Sequence, residues 1–279
     1  MRKEYCHTQR ILRIAVFLGI SVVFTLVLPA DDLRGEADQS VSRRTCHLSY
    51  GIAISHDQLR DELLVPLRWV GAGCGLHLGW DIIGGAWKLH SGIGLALSYL
   101  EEGYGNGGAA LTPSFVLEGY GRFRTRGTLT SDIGAVFRSR INDEQLYSWD
   151  DAHLYYLASY MIGPSIAFEW NLVPHRILHF KLCVPIIGFV GRPEEERFVK
   201  QEVGKIWVYF TEPNGSLGFT TLPKYFSIEL SAGIDLKRKR SAFRFDYILS
   251  YERYMQPEPF VRFTNTVLLA HDLEFGRKR

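Results

Sequence analysis

Three groupings of residues have types and spacing that could do chemistry. His47-Leu48-Ser49 sets a base and a hydroxyl two positions apart, and His90-Ser91 sets them side by side. A serine nucleophile needs its base within hydrogen-bond reach. Asp150, Asp151 and His153 bring two carboxylates and an imidazole into four residues, the material for polarising a water. Larger than any of these is a scattered set of opposite charges: Glu118, Arg122, Arg124, Asp132, Arg138, Arg140, Glu229, Asp235, Arg244 and Asp246. Other chemistries lack their residues. Cys46, Cys74 and Cys183 fall in no CxxC or Cys/His spacing, so neither a metal nor a disulfide framework is expected. The glycine-rich EEGYGNGG (101–108) lacks the Lys-Ser/Thr of a phosphate loop, and no cofactor is expected. A net charge of +2 without a basic stripe argues against nucleic acid.

What these groups can do depends on the elements that carry them, and those elements follow a period of two. In VGAGCGLHLGW (70–80), Val70, Ala72, Cys74, Leu76, Leu78 and Trp80 share one face, with Gly71, Gly73, Gly75, His77 and Gly79 on the other. Successive strand side chains point to opposite faces, so this is a strand with one apolar side. The alternation recurs from LSYGIAIS (48–55) to VRFTNTVLLAHDLEF (261–275), giving ten candidate strands. Most reach the roughly 9–11 residues a membrane-crossing strand requires. A soluble sandwich would turn its polar face to water. Here that face is rich in Gly, Ser and Ala, which suits a crowded interior. The 13% of aromatic residues and 27 glycines fit strands and turns rather than helices.

The chain opens as a secretory signal would. Arg2, Lys3 and Arg10 precede an apolar run from Ile14 to Leu28, and small residues follow at Ala30 and Ala37. A signal peptide over 1–37 is expected, cleaved after Ala37 or Ala30, then a periplasmic segment 38–45, a barrel over 46–275 and a basic tail 276–279.

The links between strands alternate in length. Short ones are expected at 82–86, 125–128, 171–176 and 237–241, and longer ones at 101–112, 141–153, 191–223 and 253–259. Trp80, Trp87, Phe123 and Trp170 sit beside short turns, as an interfacial aromatic girdle would. An open sheet would leave unsatisfied edges in lipid, so the sheet must close. On these grounds the chain resembles the bacterial outer-membrane β-barrels over residues 46–275: all-β, closed, antiparallel and transmembrane, with about ten strands. Twelve would result if KIWVYF (205–210) and 216–222 crossed as a further hairpin. The closing VLLAHDLEF is similar to the C-terminal signal read by the barrel-insertion machinery, although His271 and the trailing Arg-Lys-Arg depart from it. The resemblance implies an outer-membrane location, surrounding lipid as partner, short periplasmic turns, extracellular loops and both termini periplasmic.

A barrel of this size has little free lumen. The inward charges on adjacent strands should pair, because unpaired buried charge is costly, and are read as a lumen-filling salt-bridge network. The function expected is non-enzymatic: binding, surface contact or assembly with an envelope partner through the loops. Trp207, Tyr209 and Phe210 in 191–223 are the candidate contact residues. A narrow channel for small solutes is the alternative, and then an enzyme. Barrel lipid hydrolases place His and Ser on the lipid face, whereas alternation turns His47 and Ser49 inward. The outer-membrane aspartyl-type proteases need rim carboxylates and an Asp-His pair, for which Asp150, Asp151 and His153 are the candidates.

Overall fold

The structure is a computed structural model that describes residues 45–61, 65–103, 105–148, 151–173, 175–192, 217–256 and 258–275. The expected signal peptide, most of the 38–45 segment, the 276–279 tail, the KIWVYF stretch and Trp207, Tyr209 and Phe210 lie outside them.

Twelve strands form one antiparallel sheet: β1 (Thr45–Asp61), β2 (Val65–Ile83), β3 (Trp87–Glu102), β4 (Gly107–Arg126), β5 (Leu129–Ser148), β6 (Asp151–Val173), β7 (Arg176–Cys183), β8 (Ile187–Gly191), β9 (Leu217–Thr221), β10 (Tyr225–Lys237), β11 (Ser241–Tyr254) and β12 (Phe260–Phe275). Consecutive strands pair, except β7 with β8 and β9 with β10, and β1 pairs with β12 from Cys46↔Phe275 to Asp61↔Phe260, closing the ring.

The ring has ten wall positions, not twelve. β7 and β8 both pair with β6, at Ser165↔Cys183 and Ile162↔Ile187, so they are one wall strand broken at 184–186. β9 and β10 pair with β8 and β7 respectively and make the next wall strand. Four residue steps separate Cys183 from Ile187, and eight separate their partners Glu229 and Thr221. The excess is taken up by the turn at 222–224, where Leu222 N–H donates to the Ile186 carbonyl. Leu217–Thr221 therefore completes a wall strand and does not start an additional hairpin.

The short turns fall where alternation puts them, at 84–86, 127–128, 174–175 and 238–240. Gly127 at φ 59° makes the β4–β5 turn. Two of the four expected long loops are corrected, and a third is shortened by two residues. β3 runs to Glu102 and β4 starts at Gly107; β5 and β6 are separated only by 149–150; and β11 runs to Tyr254 before β12 starts at Phe260. The ladder continues through Glu144↔Tyr155 and Tyr147↔Ala152, so the region read as a loop is a paired hairpin. Sequence missed it because strand lying beyond the lipid has no reason to keep an apolar face. β6 reaches 23 residues, about twice what a membrane crossing needs.

The outward face carries an exposed apolar belt that includes Leu76 (66%), Ile54 (62%) and Ile93 (59%), with Trp80, Trp170 and Phe123 toward the short turns and Tyr99 toward the other end. The belt is incomplete on one side. Leu117, Ala135, Phe137, Ala158 and Tyr160 share the outward face but are buried in one cluster, against which Phe115, Ile141, Ile162 and Leu217 pack. The apolar outward face is therefore not uniformly exposed.

Candidate functional site: a charged lumen under an apolar cap

The interior is layered along the barrel axis. Nearest the short turns, Asp81 and His90 are opposite partners on β2 and β3, joined at 2.8 Å through Nδ1. The His77 and His90 rings stack at 6.5 Å between centroids. They fit because Gly79 and Gly92 face each other beside them: a Cβ at Gly92 would lie 3.2 Å from His77 and 3.3 Å from His90. Lys88 reaches Glu169 at 3.4 Å, and Arg122 lies 3.7 Å from Asp132. Arg244 is held by Asp235 at 3.0 Å and Asp272 at 3.1 Å.

In the middle the pairs become chords. Lys181 on β7 donates to Glu118 on β4 at 2.9 Å. Arg138 on β5 grips Glu229 on β10 through two nitrogens, each at 2.7 Å from a different carboxylate oxygen. That bidentate geometry is the strong form of a charge-assisted bond. His179 on β7 bonds Asp246 on β11 across β10, which has Gly233 between them. A Cβ there would sit 2.0 Å from Asp246 Oδ1. Tyr120 and Ser165 extend the Glu118 cluster, with Cys183 buried at its edge.

Higher still, Asp57 accepts from Arg262 (3.0 Å), Ser98 (2.6 Å) and Thr264 (2.7 Å). Glu252 accepts from Tyr225 at 2.6 Å with Arg140 at 3.8 Å. Two cavities, of about 250 and 190 Å³, run through these layers and share His77, Ser114, Arg140 and Glu229 in their walls.

Above them the lumen becomes mostly apolar, although Glu102 opposite Trp69, Glu144 opposite Ala110 and Arg192 over the Phe260 ring are buried at the same level. Leu59, Trp69, Leu100, Ala110, Leu157, Met161, Val190, Tyr225, Tyr254 and Phe260 form one buried cluster at the long-loop end. Trp69, Leu59, Leu100 and Phe260 are no more than 2% exposed. Contributions come from nearly every wall strand, so the cluster spans the mouth as a plug.

The expected charge network is thus placed, residue by residue, with two corrections. Neighbouring-strand pairing holds for Arg122–Asp132 and Arg244–Asp235, but Glu118, Arg138 and Arg140 find partners across the lumen, because long side chains in a narrow ring reach opposite walls more easily than crowded neighbours. Arg124 is outside the network. A bulge between Arg122 and Arg124 shifts the register, so Arg124 lies opposite Ser131 and is exposed. Sequence missed Asp57, Lys88, Glu169, Lys181, Arg262 and Asp272 as members, although alternation already turned all of them but Asp57 inward; Asp57 lies beyond the strand as read, which ended at Ser55.

The candidate catalytic residues are not assembled into a site among the described side chains. Ser49 is 1% exposed on the inward face. Asp150 and the side chains of Asp151 and His153 lie outside the described set. No group of three metal-ligating side chains occurs among the described residues.

No family model and no curated protein matches the chain. Solved structures do. The outer membrane protease OmpT from Escherichia coli is similar over 86% of this chain and 99% of its own, at TM-score 0.50 and 8% identity. The translocator domain of the autotransporter NalP from Neisseria meningitidis matches 88% of this chain and 92% of its own at TM-score 0.40 and 10% identity. At such identities the likeness is one of fold. A closed ring of ten antiparallel wall positions, an apolar belt outside and paired charges inside make the chain a β-barrel protein of the bacterial outer membrane.

Proposed function

We infer that this barrel is a sealed, non-enzymatic scaffold that works through its long-loop end, in binding, surface contact or assembly with an envelope partner. One observation carries the reading: the apolar plug of Leu59, Trp69, Leu100 and Phe260 across that mouth. Ions crossing it would lose most of their hydration against these side chains, at a cost of several kcal/mol. The polar cavities beneath it are hydrated pockets, not a conduction path.

The rest of the reading follows from the architecture. The short turns and both ends of the ring face the periplasm, and the overshooting β3–β4 and β5–β6 hairpins stand in the external medium. A cleaved N-terminal signal and the barrel-insertion machinery bring the chain there. Lipid is its solvent, and a protein is the partner for the exposed rim, with Trp207, Tyr209 and Phe210 as contact candidates. The charge network serves structure, filling the lumen with paired groups.

Planar-bilayer recording is the test. The purified barrel should show no stable single-channel current. A reproducible conductance step from the unaltered protein would overturn the sealed reading and return the narrow-channel alternative.

A further inference from the structure

We propose that the outer wall of β1, β10, β11 and β12, at the short-turn end, is a binding site for an anionic phospholipid of the surrounding leaflet. The site has an apolar part and a polar part. A groove of about 770 Å³ runs over the wall between Tyr50, Ile52, Leu236, Phe243, Phe245 and His271. Leu236, Phe243, Phe245 and Ile52 are 45–54% exposed, a surface that acyl chains would cover.

At the end of the groove stand polar groups that bare hydrocarbon would not tolerate. Tyr50 and His271 are hydrogen-bonded at 2.9 Å on the outward face and stack edge to face at 5.4 Å. Their bond uses His271 Nδ1, which leaves the other ring nitrogen directed elsewhere. The pair sits two residues from the Leu48↔Trp80 and Leu48↔Leu273 rungs, at the level where Trp80 marks the membrane surface. That is the depth of a lipid's glycerol and phosphate.

Beside it the β10–β11 turn presents Lys237, Arg238, Lys239 and Arg240 in succession, all exposed. Arg238 lies over the Phe243 ring at 6.0 Å, on the lip of the groove. Among the described residues, Glu274 is the acidic residue exposed at this rim, where its N–H bonds the Arg240 carbonyl. Four cations against one carboxylate, above an acyl-sized groove, select a phosphodiester headgroup without a compensating amine: phosphatidylglycerol or cardiolipin rather than phosphatidylethanolamine. Each basic side chain at such a surface contributes attraction of a size that can be measured.

This rests on the reading of the belt as lipid-facing, but not on which way the barrel points. The experiment is native mass spectrometry of the barrel released from nanodiscs of mixed phosphatidylethanolamine and phosphatidylglycerol. The unaltered protein should retain phosphatidylglycerol, and R238Q/K239Q/R240Q should lower that retention at least about tenfold. Y50F should lower it by a smaller factor. R124Q/R126Q, at the β4–β5 turn on the far side of the ring, should leave it unchanged. Retention by the unaltered protein should also fall as ionic strength rises, a readout that needs no variant. Equal retention in the triple variant, equal loss in R124Q/R126Q, indifference to salt, or displacement of the lipid by millimolar inorganic phosphate would each overturn the proposal.

Discussion

The two ends of the lumen are filled by opposite chemistry. Toward the short turns the ring is filled by paired charges: Arg138 with Glu229, Lys181 with Glu118, Arg244 with Asp235 and Asp272. At the long-loop mouth it is filled by Trp69, Phe260, Leu59 and Leu100. The charged region must keep every partner, since a carboxylate left alone costs more than the pair contributes. The apolar region has no such constraint and gains with each square ångström taken from water. Paired charge fills space and fixes register; under the sealed reading proposed above, apolar packing makes the seal. Stability should therefore depend on both regions, and ion exclusion on the cap.

The sharpest way to break this contrast is to open the cap. Trp69→Ala and Phe260→Ala should each cost about 3–5 kcal/mol, the double variant most of all, read by urea unfolding of the barrel in lipid vesicles and by its heat-modifiable gel migration. The same double variant should pass ions in a planar bilayer. If it folds and stays silent, the seal lies elsewhere.

The charged region should answer differently. Arg138→Ala strands Glu229 and should cost about 3–5 kcal/mol, with no gain of current. Arg138→Met together with Glu229→Leu should recover most of the loss, since an apolar pair of similar volume replaces the ion pair without an orphan. Were the double variant as unstable as the single one, the pair's role would be more than filling the lumen.

This contrast also shows what sequence could and could not carry. The belt was legible because lipid enforces alternation at each position it touches, as at Leu76, Leu78 and Trp80. The cap was not, for the same reason. Leu59, Trp69, Leu100 and Phe260 are apolar residues on the inward face, so each breaks the alternation where it occurs. Strands read by that rule stop just short of them, at Ser55, Val70, Tyr99 and Val261, while the ladder continues past each. Charge membership was legible from parity, but partners were not. The spacing of Glu118 says which way it points; only closure of the ring brings Lys181, three wall positions away, to 2.9 Å. The buried outward patch at Phe137 and Tyr160 is a third case: alternation reports the side a residue faces, not what packs there.

Within the charged region, Gly233 tests whether a missing side chain is itself part of the network. It stands between His179 and Asp246, and a Cβ would meet Asp246 Oδ1 at 2.0 Å, the Phe245 carbonyl oxygen at 2.4 Å and His179 Nε2 at 2.6 Å, so part of any cost falls on the backbone. Gly233→Ala should cost about 1–3 kcal/mol by forcing both groups off their bond. The cost should shrink in a His179→Ala background, a non-additivity that a double-mutant cycle measures. Full additivity would mean that the glycine serves the β10 backbone rather than the bond across it.

The smallest effect belongs to Arg124. By alternation it is a lumen residue like Arg122, and by register it is not, because the bulge at Phe123 adds a residue before it. Arg122 lies 3.7 Å from Asp132 and donates to the Gly85 carbonyl at 3.1 Å. Arg124 is solvated at the rim, where charge has little to lose. Arg124→Gln should change stability by less than about 0.5 kcal/mol, and Arg122→Gln should change it by more, since Asp132 stays behind at 6% exposure. Two arginines two residues apart thus separate the rule of alternation from the structure it approximates. If Arg124→Gln were the costlier of the two, the bulge would be misplaced and the inward face of β4 would extend one step further toward the turn.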